Sequence, residues 1–234
     1  MTAETQPGQM LDPTLAVGPQ LMRILRGAIV SNALQPGVRI SEAEIGQRYG
    51  VSRQPVREVF IKLAEEGLLE VRPQRGTFVR KINVNAVLDA RFVREAIEAD
   101  VAKACAANAT PELVRDLRAQ LAAQRALGGG DPAGFVELDD LFHRTLAEGA
   151  GRPNAWNVID GMKSQLDRVR RLTTATLPFD HLLTQHTAIV DAVEAGDAAA
   201  AEAAMRGHLQ MILSDLAAIR AACPQHFEPQ ADQA

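Results

Sequence analysis

The sequence predicts a mainly α protein in two parts. The first is an N-terminal winged helix-turn-helix with a small β-hairpin wing, and the second a C-terminal all-α helical bundle. Three observations carry this. Residues 41 to 80 read as two short capped helices followed by an alternating stretch split by a turn. From Asn85 onward, helical periodicities follow one another with no strand signal. The formal charge of −4 is also unevenly spread: residues 20 to 80 hold ten Lys/Arg against six Asp/Glu, and residues 81 to 234 hold fifteen against twenty-one. A basic head on an acidic body confines the electrostatic footprint for nucleic acid to the N-terminal part.

The 234 residues suit two domains, and 47 % hydrophobic with 4 % aromatic residues suits packed helices. No apolar run approaches the roughly 20 residues of a membrane span. The start of the chain lacks the basic and apolar regions of a signal peptide. Cys105 and Cys223 form no C-x-x-C pair, which fits two unlinked thiols in a reducing cytoplasm. The expected division is a flexible arm over 1–13, a DNA-binding domain over 14–80, a linker over 81–84, a helical domain over 85–222 and a loose tail over 223–234.

A first helix is expected over 14–34, with Leu21, Ile24, Leu25, Ala28 and Ile29 inward and Arg23 and Arg26 free to meet phosphate. Ser41 caps the next helix, Glu42 and Glu44 favour its positive end, and Gly50 closes it. Ser52 then caps a helix whose inner stripe is Val56, Val59, Phe60, Leu63 and Ala64. Its first turns carry Ser52, Arg53, Gln54 and Arg57 off that stripe. Arg can bond guanine bidentately, Gln adenine, and the hydroxyl phosphate, so this is a recognition helix. Leu68 to Arg72 alternates, Pro73-Gln74-Arg75-Gly76 turns, and Thr77 to Arg80 returns, giving a wing with a basic tip.

Helices are expected next over 85–107, 110–127, 132–149, 155–175, 179–195 and 198–221, with a break at Gly128-Gly129-Gly130 and another at 151–154. On the first of them Val87, Leu88, Phe92, Ile97 and Ala99 are read as apolar, against polar Arg91, Arg94, Glu95 and Glu98. All five histidines lie in this half. Asp139 and His143 sit one helical turn apart on the same face, while His186 and His208 lie on later helices. Four such ligands from three helices would make a divalent-metal site if they met, with imidazole suiting zinc or nickel. The sequence alone does not bring them together, and a helical histidine is more often a surface or core residue.

The run PGVRISEAEIGQRYGVSRQPVREVFIKLAEEGLLEVRPQRGTFV closely resembles the winged helix-turn-helix of GntR-type bacterial transcription regulators. VSRQPVRE and the RG-F-V wing are its most specific parts, and the match covers roughly residues 20 to 80. It implies DNA contacts from Ser52, Arg53, Gln54 and Arg57 and, at the wing tip, from Arg75 and Gly76. Ala43 stands where some relatives carry Arg, so their operator sequence does not transfer. The second half resembles the FCD ligand-binding domain of the FadR-type branch, through R-x-x-I-E (Arg94 to Glu98), D-D-L-F-H (Asp139 to His143), Q-H-x-x-I-x-D-A around His186, E-A-G-D at 194–197 and M-R-x-H-L around His208. That resemblance implies a metal held by Asp139, His143, His186 and His208. The neighbouring Asp140 is set aside because the motif's spacing back from His143 falls on Asp139.

Zinc is the first expectation, with nickel or manganese as the others. Open positions on such an ion would take a carboxylate or hydroxy-acid effector, and Arg94 is the first candidate to contact it, ahead of Arg168, Arg170 and Arg171, two of which should point outward. His181 and His226 are left as spares. The resulting expectation is a cytoplasmic repressor without enzymatic activity. It would bind a pseudo-palindromic double-stranded operator as a homodimer, without a membrane partner. A regulator with the metal itself as signal, an ion that only braces the bundle, and a metal-dependent hydrolase are the alternatives.

Overall fold

The computed structural model describes residues 10–127, 131–174 and 179–229. One compact unit runs to Val84 and also takes in the segment from Cys223; the other spans Asn85–Ala222. The triple glycine expected as a break lies outside the described residues, as do the first nine residues of the expected arm and the last five of the expected tail.

In the first unit, α1 (Val17–Val30), β1 (Arg39–Ile40), α2 (Glu42–Tyr49), α3 (Arg53–Glu65), β2 (Leu69–Arg72) and β3 (Gly76–Val79) follow in order. The core is Leu21, Leu25 and Ile29 of α1 against Val56, Val59, Phe60 and Leu63 of α3, with Leu68 and Val79. These stripes are the ones the 3.6-residue period marks. The Ser41 side chain accepts a hydrogen bond from Ala43 N, and Gly50 turns left-handed at φ 66° to end α2. Ser52 sits at the N-cap of α3, but its hydroxyl makes no capping bond, contrary to expectation.

Three further expectations are corrected here. Helix α1 is shorter than 14–34 because Asn32 turns left-handed at φ 59°, a conformation that stops a helix and that Asn tolerates. The arm is fastened before residue 13: Asp12 N donates to Gln20 Oε1 at 2.7 Å, Gln20 Nε2 donates to Asp12 O at 3.0 Å, and Leu11 packs on the core. The wing is not a lone hairpin, since β1 pairs antiparallel with β3 on the side away from β2. Two residues are too few to show an alternating pattern.

The second unit holds α4 (Val84–Ala107), α5 (Pro111–Leu127), α6 (Pro132–Gly149), α7 (Pro153–Asp160), α8 (Ser164–Thr174), α9 (Phe179–Glu194) and α10 (Ala198–Ala222). No strand occurs among its described residues. Thr110, Asp131 and Asp197 each accept a backbone N–H at a helix start. Leu117, Phe142, Leu146, Ile189, Val193, Met205 and Leu209 form the core. The single helix expected over 155–175 is two helices, broken at Gly161–Lys163. Gly161 weakens the helix, and the Lys163 ammonium lies buried between Asp140 (2.6 Å) and Asp167 (2.7 Å).

The face of α4 is also corrected. Arg94 and Glu98 are 2 % exposed, whereas Phe92 is 66 % exposed. The inward positions are Val87, Ala90, Arg94, Glu98, Val101 and Cys105, at helical spacing but with two charged residues among them. The expected loose tail is corrected as well. Pro224–His226 forms a 3-10 turn, and Phe227, 2 % exposed, pairs in parallel with Ile82 of the first unit.

Candidate metal centre and nucleic-acid interface

In the first unit, Ser52, Arg53, Gln54 and Arg57 are exposed together on the opening turns of α3. Their placement follows from the buried stripe of Val56, Val59 and Phe60 on the opposite side. Gln54 Nε2 donates to Glu58 Oε1 at 2.9 Å, which holds the amide beside the two arginines. Arg75 is exposed at the wing tip. Gly76 follows it at φ 106°, a backbone conformation that residues with a Cβ rarely adopt, which favours glycine at this turn. Arg26, read as a phosphate contact, instead donates to Glu66 Oε2 at 2.9 Å.

In the second unit, the fold brings Asp139, His143, His186 and His208 together. All four are buried, and one ligand atom from each lies within 4.8 Å of the others. His143 Nε2 is 3.2 Å from His208 Nε2 and 3.6 Å from Asp139 Oδ2, and His186 Nε2 is 3.3 Å from Asp139 Oδ1. A helical turn sets Asp139 and His143 side by side on α6; the antiparallel neighbours α9 and α10 supply the other two.

The far nitrogen of each ring is held by an oxygen. His143 Nδ1 meets a Glu98 carboxylate oxygen, His186 Nδ1 lies 2.8 Å from Gln124 Oε1, and His208 Nδ1 lies 3.0 Å from Gln185 Oε1. Gln124 Nε2 is occupied by Leu138 O, which turns its oxygen to His186, and Gln185 likewise has its oxygen toward His208. An oxygen at Nδ1 requires the proton there, which leaves a lone pair on every Nε2.

The lone pairs of His143 and His208 then face each other, and that of His186 faces the Asp139 carboxylate. Converging buried lone pairs with no donor among them suit a cation. The ligand atoms lie within 4.8 Å of one another, and two atoms on one ion with bonds of about 2.0–2.2 Å stand at most about 4.4 Å apart, so the set needs to close by only a few tenths of an ångström around an ion. The residues present therefore fit a divalent metal.

The electrostatics agree. Burial, and for His208 also the neighbouring rings, lowers the pKa of His186 and takes that of His208 well below the ordinary histidine value, which keeps both neutral. Burial alone would raise the Asp139 and Glu98 carboxyls. The Arg170 guanidinium outweighs it at Asp139, and the Arg94 guanidinium, with the hydrogen bond from His143 Nδ1, outweighs it at Glu98, so both stay below the usual range.

Beside this cluster is a cavity of about 60 Å³ whose lining combines Arg91, Arg94, Arg170, Asp139, Asp215 and His208 with apolar side chains including Phe135 and Leu209. One water needs about 10–15 Å³ on this scale, so a few waters or a small ligand fit. Arg94 lines it but is bonded to Glu98. Arg170 bonds Asp139 and lies 3.3 Å from Asp140. Arg168 is fully buried and does not line the cavity, and neither Arg170 nor Arg171 is exposed, so the expectation that two of these three point outward fails. His181 is exposed and His226 belongs to the other unit. Sequence reasoning missed Arg91, Gln124 and Gln185 and misplaced Glu98. The signal for Glu98 was its spacing from Val87, Ala90 and Arg94.

Residues 19–79 match the bacterial regulatory proteins of the gntR family, and residues 89–211 match the FCD domain. The HTH-type transcriptional repressor RspR of Escherichia coli K12 is 43 % identical over 94 % of this chain and 96 % of its own length. The chain belongs to the GntR family of transcriptional regulators. An HTH-type regulator of Streptomyces ambofaciens is 39 % identical over 88 % of each chain. Among solved structures, Escherichia coli McbR/YncC superposes with a TM-score of 0.73 at 18 % identity, covering 87 % of this chain and 98 % of that one, a likeness of fold. With an FCD domain behind its winged helix, this GntR-family chain is a regulator and not an enzyme, which removes the hydrolase alternative. None of its described helices is long and apolar enough to cross a membrane.

Proposed function

We infer that this chain is a cytoplasmic transcriptional repressor whose C-terminal domain holds a divalent metal, zinc first, through Asp139, His143, His186 and His208. A small carboxylate or hydroxy-acid in the adjoining cavity then modulates operator binding. The observation that carries this reading is the set of three inward lone pairs and one carboxylate opening onto an arginine-lined cavity. A bound divalent ion would supply Lewis-acid attraction for an anion there. The protein's own part is to hold three imidazoles in one tautomer, to exclude bulk water with Phe135, Leu166 and Leu209, and to present Arg94, Arg91 and Arg170 for charge-assisted bonds to a carboxylate.

Ser52, Arg53, Gln54 and Arg57 would enter the major groove, with Arg75 and Gly76 at the wing tip against the backbone. A homodimer would place two recognition helices on the half-sites of a pseudo-palindrome. Exposed Phe92 on α4 and Leu213 on α10 flank a shared groove that Arg91, Glu95, Arg206 and Gln210 also line, a mixed apolar and charged surface suited to that pairing. The effector would shift the balance between arrangements that fit and miss the operator, by its differential affinity for them.

One observation favours a second reading, in which the metal alone is the signal: each cavity arginine already has a protein carboxylate, Arg91 with Glu95, Arg94 with Glu98 and Arg170 with Asp139. A thermal-shift screen of the zinc-loaded protein against small carboxylates, repeated after chelation, separates the two. An acid at a hundred times its Kd adds about 2.7 kcal/mol to the native state, a shift of several degrees. Stabilisation by one acid that vanishes with the metal supports the effector reading. A zinc-dependent shift with no acid responding supports the metal sensor, and no response to zinc refutes both.

A further inference from the structure

The segment after α10 has no part in the reading above. Helix α10 carries His208 and ends at Ala222. Beyond it, the chain returns to the residues that leave the wing. Ile82 N donates to His226 O at 2.8 Å, and Glu228 N donates to Ile82 O at 2.9 Å. Ile82 is fully buried and Phe227 nearly so. The Glu228 carboxylate accepts from Arg80 Nε at 2.8 Å and from the Asn83 amide. Arg80 N in turn donates to Leu68 O at 2.9 Å, which continues the bonding into the root of the sheet. Backbone bonds on both sides of Ile82 fix a register, and side chains on both sides of it are matched by one glutamate. Apolar packing of a spare tail would need neither.

We propose that Cys223–Glu228 is a clasp. It makes a second chain connection, besides residues 81–84, by which the last helix of the metal-binding unit is tied to the base of the wing. From His208 to Ala222 the chain is continuous helix, about 21 Å of it at 1.5 Å per residue. A helix passes on a displacement along its axis with little loss. A change at the His208 end therefore reaches β3 through the clasp. The transmitted signal rests on the metal reading; the clasp itself does not.

The test is residue-resolved hydrogen exchange on the full chain, metal-free and with zinc, for the parent, Phe227→Ala and the milder Glu228→Gln. Zinc affinity is measured alongside by competition with a chelating dye. In the metal-free protein, Phe227→Ala should speed exchange at the Ile82 and Glu228 amides by roughly ten- to a hundredfold, and Glu228→Gln by less, with zinc affinity unchanged in both. Parent rates at those amides in both variants would overturn the clasp. In the parent, zinc should slow exchange at Ile82 and in β3, and in Phe227→Ala that effect should be lost. Zinc protection of β3 that survives in Phe227→Ala would overturn the transmission. If Phe227→Ala fails to fold, Glu228→Gln decides. If the parent takes up no zinc, the metal centre fails, and the metal-free comparison decides the clasp alone.

Discussion

Replacing Glu98 with Gln keeps the shape of the side chain and removes its charge. Glu98 is 2 % exposed and faces both His143 Nδ1 and the Arg94 guanidinium. Two effects follow. The first is on stability: Arg94 is equally buried, and leaving a buried charge without its partner costs about 3–5 kcal/mol. The lower end applies here because Gln still accepts a hydrogen bond and the Asp139 carboxylate also acts on Arg94. About 3 kcal/mol lowers the melting temperature of a domain this size by roughly 10 °C. The second is on the metal: a neutral partner leaves His143 a weaker donor and less firmly oriented, and losing such backing lowers affinity roughly 10–100-fold. Calorimetric melting of the metal-free variant reads the first effect, and zinc competition below the melting range reads the second. Wild-type zinc affinity in a Glu98→Gln protein would refute the assignment of Glu98 as the group that orients His143.

Three other outcomes are expected. His143→Ala combined with His208→Ala should lower the metal content of the purified protein, and unchanged stoichiometry by elemental analysis would reject the four-ligand site. Arg53→Ala or Arg57→Ala should weaken binding to duplexes selected from a random pool by roughly 10–100-fold, with an unchanged circular dichroism spectrum; retained sequence-specific binding would remove the recognition-helix assignment. The metal-free protein should lose stability as pH falls below about 6.5. His186 and His208 resist protonation when folded but take up protons when unfolded, so each removes up to about 1.4 kcal/mol per pH unit below the unfolded value. Asp139 and Glu98, whose carboxyls are lowered in the fold, add a further loss below about pH 4. A flat melting profile between pH 7 and 5 would show that these rings are not buried neutral.

The N-terminal unit was legible because its signals are local: caps at Ser41, a glycine stop at Gly50 and an apolar stripe on α3 all lie within a few residues of what they determine. The proposed metal ligands were legible as residue types at motif spacing, but their meeting was not. His186 and His208 come from helices that only packing brings beside α6. The face of α4 was misread because periodicity arguments assign charged residues outward, and Arg94 and Glu98 are inside only because they neutralise each other and serve His143. The α7–α8 break depends on Lys163 finding two aspartates, one of them on another helix. The fastening of Phe227 to Ile82 spans most of the chain, a separation at which no sequence pattern speaks.

Many metal sites are local features of a chain, two ligands on a turn and two on the next element, and can be cut out as short peptides. Here α6, α9 and α10 would supply the ligands of the proposed site, α4, α5 and α9 supply the oxygens behind the imidazoles, and α8 supplies the arginine on Asp139. Of the described helices in this unit only α7 contributes nothing. A fragment of two or three of these helices would keep at most some of the ligands, and those without their orientation. Grafting the site onto another protein would mean moving the whole bundle, and a gene rearrangement that trimmed one helix would abolish the site rather than weaken it.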